Sequence, residues 1–146
     1  MEMMLAVTIL AILTMLAVPS FRDATGRAAL RSATTDMVVA INTSRAQAVA
    51  NRQDIQLRST DNADWSKGWT IDYPATVKEK DQGFVPKDFI TVVEAGGNQQ
   101  VVFRRNGLLS SEMTFNICNP NMVGKPGRQI SVTRAGRVTN VEFGGC

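Results

Sequence analysis

The feature that most limits what this chain can become is its first eighteen residues, Met1 to Val18, which are apolar except for Glu2, Thr8 and Thr14 and are closed by Pro19. As an α-helix they span roughly 27 Å at about 1.5 Å per residue, close to the ~30 Å hydrocarbon core of a bilayer. The threonines fit that setting, because a helical Thr hydroxyl bonds to a carbonyl one turn back. Three readings meet the pattern: a membrane-inserted helix, a cleaved secretory signal and a buried core helix. A signal peptide begins with a basic region and ends in small residues at a cleavage site. Here an acid comes first, and Pro19-Ser20-Phe21-Arg22-Asp23 follows. The stretch therefore predicts an anchor over residues 1–20 and a head over residues 21–146. Glu2, ionisable at the edge of an apolar span, is costly unless it reaches the interface or finds a partner, so it is a candidate functional residue.

The remainder is one ordinary domain's length, enough to bury a core. Its charge is unevenly spread. Residues 19–53 hold five Arg against two Asp, residues 54–99 five basic against eight acidic side chains, and residues 100–146 six basic against two acidic. The last group, Arg104, Arg105, Lys125, Arg128, Arg134 and Arg137, is either a basic patch able to contact phosphates without reading sequence or the ordinary charge scatter of a solvated sheet face. Two cysteines, Cys118 and Cys146, occur without any histidine. An anchored chain with its head outside the cytoplasm points to one disulfide; two free thiols are the alternative. A zinc site needs a fuller ligand set than two Cys.

Past Pro19, which should kink the helix, helical periodicity continues to about Asn51. Leu30, Met37, Val38, Ile41, Ala48 and Val49 draw one apolar stripe, and Gly26 is expected to loosen the rod. Beyond Asn51 the period becomes that of strands: 55–59, 69–73, 89–94, 100–104, 113–118, 129–133 and 138–143, separated by turn residues such as Gly96-Gly97-Asn98, Asn106-Gly107 and Ala135-Gly136. Residues 74–87 show no period and read as an exposed loop. The expectation is an α+β fold, with a long helix whose first half is a membrane segment and whose amphipathic half packs on an antiparallel sheet.

Catalytic chemistry is hard to place. With no histidine, neither cysteine has an evident base, and Ser44, Ser110 and Ser111 lie in no nucleophile motif. Gly96-Gly97 lacks the Gly-Lys-Ser/Thr of a phosphate loop. Asp61, Asp64 and Asp72 have no spacing that singles out a pair. No enzyme activity, cofactor or metal is expected. Trp65 and Trp69 read as core and turn packing rather than as a ligand cage.

Glu2 to Phe21 resembles the amino-terminal helix of type IV pilins and type II secretion pseudopilins, with Glu2 at the family's glutamate and Pro19 at its kinking proline. Ser44-Arg45-Ala46-Gln47-Ala48 through Asn51, Trp65…Gly68-Trp69, Val102-Phe103…Gly107, Phe115-Asn116-Ile117-Cys118 and the run from Gly127 to Val138 and Cys146 resemble successive landmarks of the GspH/FimT branch of minor pilins. The resemblance implies the type IV pilin fold and a structural subunit whose helix packs with those of other pilins, major and minor, in a fibre. It implies that Glu2 pairs with a neighbouring subunit's terminal amine; the plain alternative is an acid favoured by the helix dipole. It also implies a basic leader removed by a prepilin peptidase, so that the sequence starts just inside the mature chain and Met1 is not its natural start.

Arg22, Arg27 and Arg31 alone would place the head in the cytoplasm. The resemblance places it in the bacterial periplasm, with the helix crossing the inner membrane once before assembly. Two further roles stay open, a type II secretion pseudopilin and a pilin that binds double-stranded DNA for uptake. Some FimT-like pilins carry Gly-Arg-x-Arg for DNA. Here Gly136-Arg137-Val138-Thr139 has Thr, and Gly127-Arg128-Gln129-Ile130 has Ile, at the second arginine.

Overall fold

The computed structural model describes the backbone of residues 2–146 and the side chains of these residues except 2, 5, 6, 8 and 11–20. A long helix, α1 (Glu2–Asn51), precedes eight strands: β1 (Ile55–Ser59), β2 (Trp69–Asp72), β3 (Gln82–Phe84), β4 (Thr91–Glu94), β5 (Gln100–Phe103), β6 (Met113–Cys118), β7 (Gly127–Val132) and β8 (Val138–Phe143). Helix assignment runs through position 19 without a break. The Pro19 kink and the Glu2 side chain fall outside what is described. Among the described residues no helix is long and apolar enough to cross a membrane, and the stretch read as the anchor lies largely outside them.

From Gly26 onward α1 buries positions 26, 29, 30, 33, 34, 37, 40, 41, 44 and 48, a stripe at three- and four-residue steps. Five of these are Ala or Ser, which lets the sheets approach closely. The buried hydroxyls are satisfied one turn back: Thr34 Oγ1 donates to Leu30 O at 2.7 Å and Ser44 Oγ to Ala40 O at 2.8 Å. Val49, expected on the stripe, is half exposed at its margin. Arg52 takes a left-handed backbone conformation, φ 53°, and its N–H bonds back to Val49 O, which ends the helix.

The strands form two four-stranded antiparallel sheets, β3-β2-β1-β5 and β4-β6-β7-β8, where one sheet was expected. Alternation shows which face of a strand is buried but not which neighbour it takes. β4 leaves the first sheet to pair with β6, Thr91 opposite Cys118. α1 packs on β1, β2 and β5 of the first sheet and on β6 and β7 of the second, so a single core joins both. Met37, Ile41, Ile55, Leu57, Phe103, Phe115, Ile117 and Ile130 are fully buried in it, each such side chain contributing about 1.5–3 kcal/mol.

Trp65 sits in a short 3-10 turn, Trp65–Lys67, and meets Phe115 edge to face with ring centroids 4.9 Å apart. Trp69 stacks on Phe84 at 6.2 Å. Both tryptophans are packing residues, as their pattern suggested.

The 74–87 segment is not wholly loop. Its end forms β3, which pairs with β2, Trp69 opposite Phe84. Three residues are too few to display a period, and the segment's order comes from Phe84 on Trp69, from Val77 against the core and from Tyr73 N–H donating to Asp81 Oδ1 at 3.0 Å. Nor does Gly26 mark a loose point. It is buried, and it forms a notch in which Asn119 Nδ2 donates to Gly26 O at 3.3 Å; a Cβ there would lie 3.0 Å from both Asn119 Nδ2 and Met122 Sδ.

Candidate functional site

Near its start α1 displays an apolar surface. Met3, Met4, Val7, Ile9 and Leu10, the side chains described over this stretch, are all exposed, from 51% at Ile9 to 84% at Met3. A contiguous exposed apolar surface on a helix is one that meets a partner or a lipid phase.

At the other end of the chain, Cys118 and Cys146 form a disulfide with Cα atoms 5.7 Å apart. It crosses the start of β7, and the crossing needs Gly127: a Cβ there would overlap Cys146 Sγ and come within 2.5 Å of Ile117 O. The first Gly-Arg pair of the sequence therefore has a steric origin.

The second pair, Gly136-Arg137, has one too. Arg45, one turn and a half from the end of α1, reaches over the β7–β8 turn and donates through Nη1 to Gly136 O at 3.2 Å. A Cβ on Gly136 would stand 2.7 Å from Arg45 Nε, and the residue's φ is +76°, so glycine is favoured twice over. Gly107, in the turn after β5, faces Val49 of α1 in the same way, at 3.0 Å. Leu109 N–H donates to Arg134 O at 2.9 Å and ties the two turns together.

These contacts divide the six basic residues between the two ends of β7. Arg104, Arg105, Arg134 and Arg137 gather with Arg45 around the two turns, and all five are exposed. Arg105 N–H is held by Asp54 Oδ1 at 2.9 Å, which fixes that turn and leaves the guanidinium outside. Lys125 and Arg128 lie five or more residues away along the strand direction, roughly 17 Å or more. Lys125 pairs with Asp23 of α1, and this hydrogen bond and charge, with help from Arg27, hold the Asp23 carboxyl below the usual range. Arg45 and the Asp23–Lys125 pair are contacts around this candidate site that sequence spacing missed; only the quoted Ser44-Arg45-Ala46 run carried a hint of the first.

The carboxylates do not converge. Asp61 accepts from Asp64 N–H at 2.8 Å and Ala63 N–H at 3.0 Å and pairs with Lys67 at 2.9 Å. The Asp64 amide, then Lys67, then the Ala63 amide pull its pKa down to about 2. Asp64 caps the Trp65–Lys67 turn through Ser66 N–H, and Asp72 pairs with Arg58 at 3.1 Å. Each serves a turn or a strand pair. Among the described residues no three His, Cys, Asp or Glu gather as metal ligands.

The chain matches the model of a family described as type II transport protein GspH over residues 33–136. Among solved structures it is similar to the type IV minor pilin FimU of Pseudomonas aeruginosa in two crystal forms. One is 27% identical, with TM-score 0.64, covering 76% of this chain and 91% of that one; the other is 29% identical, with TM-score 0.65, covering 79% and 90%. The minor pseudopilin EpsH from the Type 2 Secretion System of Vibrio cholerae is 12% identical, with TM-score 0.57 over 76% of this chain and 94% of that one, a likeness of fold alone. A sequence search among curated proteins finds no match.

Proposed function

Because the chain belongs to the GspH family of type II transport proteins and is similar in fold to the minor pilin FimU, we propose that it serves as a minor pilin of a type IV pilus. In this role residues 1–20 are the membrane and fibre-core segment, and residues 21–146 are a periplasmic head that includes the amphipathic half of α1. The observation that carries this reading is the head itself: a half-buried helix under two antiparallel sheets, closed by a terminal disulfide, alike to FimU over three quarters of the chain.

The exposed apolar side chains Met3, Met4, Val7, Ile9 and Leu10 support a helix that leaves lipid only to pack against other helices, so that apolar surface stays dry in both states. A prepilin peptidase acts on the precursor, and Glu2 neutralises a neighbour's terminal amine. Glu2→Ala should then leave the chain folded in the inner-membrane fraction yet absent from sheared pili. Normal incorporation would remove the assembly role from Glu2. Recovery of wild-type chain only with a type II secretion pseudopilus would make it a pseudopilin.

A second reading is favoured by one arrangement, the five exposed arginines at 45, 104, 105, 134 and 137 around two glycine turns. We propose that this end contacts the phosphates of double-stranded DNA. Binding should fall with salt by ~0.9 in log affinity per log salt for each phosphate neutralised. Alanine at 134 or 137 should lower that slope by about one each, and Arg128→Ala should leave it unchanged. Absence of binding at low salt would end this reading and leave the structural one untouched.

A further inference from the structure

Strand directions bring two connections to the end of the head nearest residue 20. β6 and β7 run along α1, so that the turn after β7 meets Arg45 while Asn119, just past β6, meets Gly26. β4 starts at the same level, Thr91 opposite Cys118. The 119–126 loop and the turn before β4, where Ile90 N–H donates to Lys87 O at 2.8 Å, therefore both lie beside the first turns of α1 in the head. Phe89, Asn119, Asn121 and Met122 share with Arg22 and Asp23 the walls of a cleft of ≈ 510 Å³.

The 119–126 loop is firmly held. Two successive turns build it, Met122 N–H donating to Asn119 O at 3.0 Å and Lys125 N–H to Met122 O at 3.1 Å. Asn121 N–H adds a bond to Asn119 Oδ1 at 3.1 Å, Met122 is buried against Gly26, and Lys125 is tied to Asp23. Between these fastenings Val123 stands 91% exposed, where a turn ordinarily places a polar residue or glycine. Phe21 and Phe89, at the same end, are 71% and 36% exposed. One exposed apolar side chain is unremarkable; three gathered where a helix leaves the head mark a surface that meets an apolar phase.

We infer that this end of the head seats on the phospholipid surface into which residues 1–20 insert, with Val123 and Phe89 entering the headgroup layer. The inference rests on the reading of residues 1–20 as the membrane segment. The helix itself is the ruler. Residues 22–26, which line the cleft, stand roughly 3–9 Å beyond residue 20 along the axis, and the polar layer on each side of a bilayer is roughly 5–8 Å deep. A surface in that layer binds by burying apolar side chains among the headgroups while its cations meet the phosphates. Arg22, Arg27, Lys87 and Lys125 stand at this end against Asp23 and Asp88. Lys125 and Arg27 neutralise Asp23, and Arg22 and Lys87 make no ion pair among the described residues. The net positive charge suits an anionic leaflet, and the fixed apolar tip supplies the contact.

The test uses the full chain reconstituted into vesicles of phosphatidylethanolamine and phosphatidylglycerol with brominated acyl chains, and follows tryptophan quenching. Wild type, whose Trp65 and Trp69 are buried in the core, sets the background. Val123→Trp should lose at least half of its added emission. Leu108→Trp, in the turn that faces Val49 at the other end of the head, should lose less than a tenth. Equal quenching at the two positions, in chain that floats with the vesicles, overturns the inference and leaves the membrane segment standing. Wild type that does not float removes both. Shielding of the residue 123 indole from acrylamide without quenching by bromine assigns the tip to a protein surface and overturns the inference too.

Tryptophan itself favours the interface, so a second measurement adds no ring. In nanodiscs of the same lipids without bromine, the amides of Val123 and Gly124 should exchange at least fivefold more slowly in wild type than the same positions in Val123→Asp, after correction for intrinsic rates. Those of residues 134–137 should match. A side chain 91% exposed has little folded contact to lose, so the difference reports the lipid. Equal exchange at positions 123 and 124, with the Cys118–Cys146 bond intact in both chains, overturns the seat.

Discussion

Removing the disulfide gives the sharpest stability prediction. Cys118 and Cys146 close a segment with a sequence separation of 28, and the chain-entropy relation for that length gives about 12 cal/mol/K, or about 3.6 kcal/mol at 25 °C. The native side should lose little, since Gly144, Gly145 and Cys146 are exposed and β8 keeps its pairing with β7 over Gly127–Phe143 through Val132–Val138. The loss therefore falls on the denatured ensemble. For a head of about 126 residues, unfolding entropy is about 0.26 kcal/mol/K, so Cys118→Ala with Cys146→Ala should lower the Tm of residues 21–146 by about 14 °C. Calorimetry of the oxidised wild type and the double variant measures this directly.

Gly127→Ala sharpens the test. With the disulfide intact its Cβ meets Cys146 Sγ and Ile117 O; without it only the carbonyl remains, so the substitution should cost less in the Cys-free chain, a non-additivity expected of touching groups. A Tm drop below about 3 °C in the Cys-free chain, with unfolding still two-state, would refute loop closure as the source. Equal costs of Gly127→Ala in both chains would refute the steric account of that glycine.

Arg45→Ala should cost about 1 kcal/mol through the lost bond to Gly136 O, with faster amide exchange at Gly107 and Gly136 as its local sign. Asp61 has a folded pKa near 2 against an ordinary 3.8, so the stability it contributes is present above pH 3.8 and is lost as pH falls toward 2; the Ala63 and Asp64 amide resonances should report the change in that window. Tyr73 behaves in the opposite sense. Burial first, then Glu79 and Asp81, raise its pKa above 10.0, so folding favours the protonated phenol and stability should decline as pH rises past 10, a decline that Tyr73→Phe should remove.

What the residues made legible followed from repeating patterns. β1, β6 and β8 were readable to the residue because 55–59, 113–118 and 138–143 are runs of strand-forming side chains bounded by turn residues. The helix was readable to Asn51 because the stripe from Leu30 to Ala48 keeps its period. What stayed hidden depends on partners distant in the chain. β3 is three residues long and owes its order to Trp69. The split into two sheets depends on β4 choosing β6 over β3. Gly127 and Gly136 look like turn residues, yet one clears a disulfide and the other an arginine ninety-one positions away. The basic tail looked like one patch because its members are close in sequence, and β7 separates them by its own length.

The same contacts explain how a head can be held at a fixed rotation about its helix. A hydrophobic stripe alone permits sliding, since apolar contact is non-directional. α1 adds two directional fastenings at its opposite shoulders. Near its exit from the apolar segment, Asn119 donates into the Gly26 notch and Lys125 pairs with Asp23. Nineteen residues on, at roughly 28 Å, Arg45 grips the Gly136 turn. Both fastenings attach to the ends of β7, the strand that carries Arg128 at one end and leads to Arg134 and Arg137 at the other. Movement of either end relative to the helix breaks a hydrogen bond that the core cannot replace. The head is thereby held in one register on α1, fixed at both ends of β7.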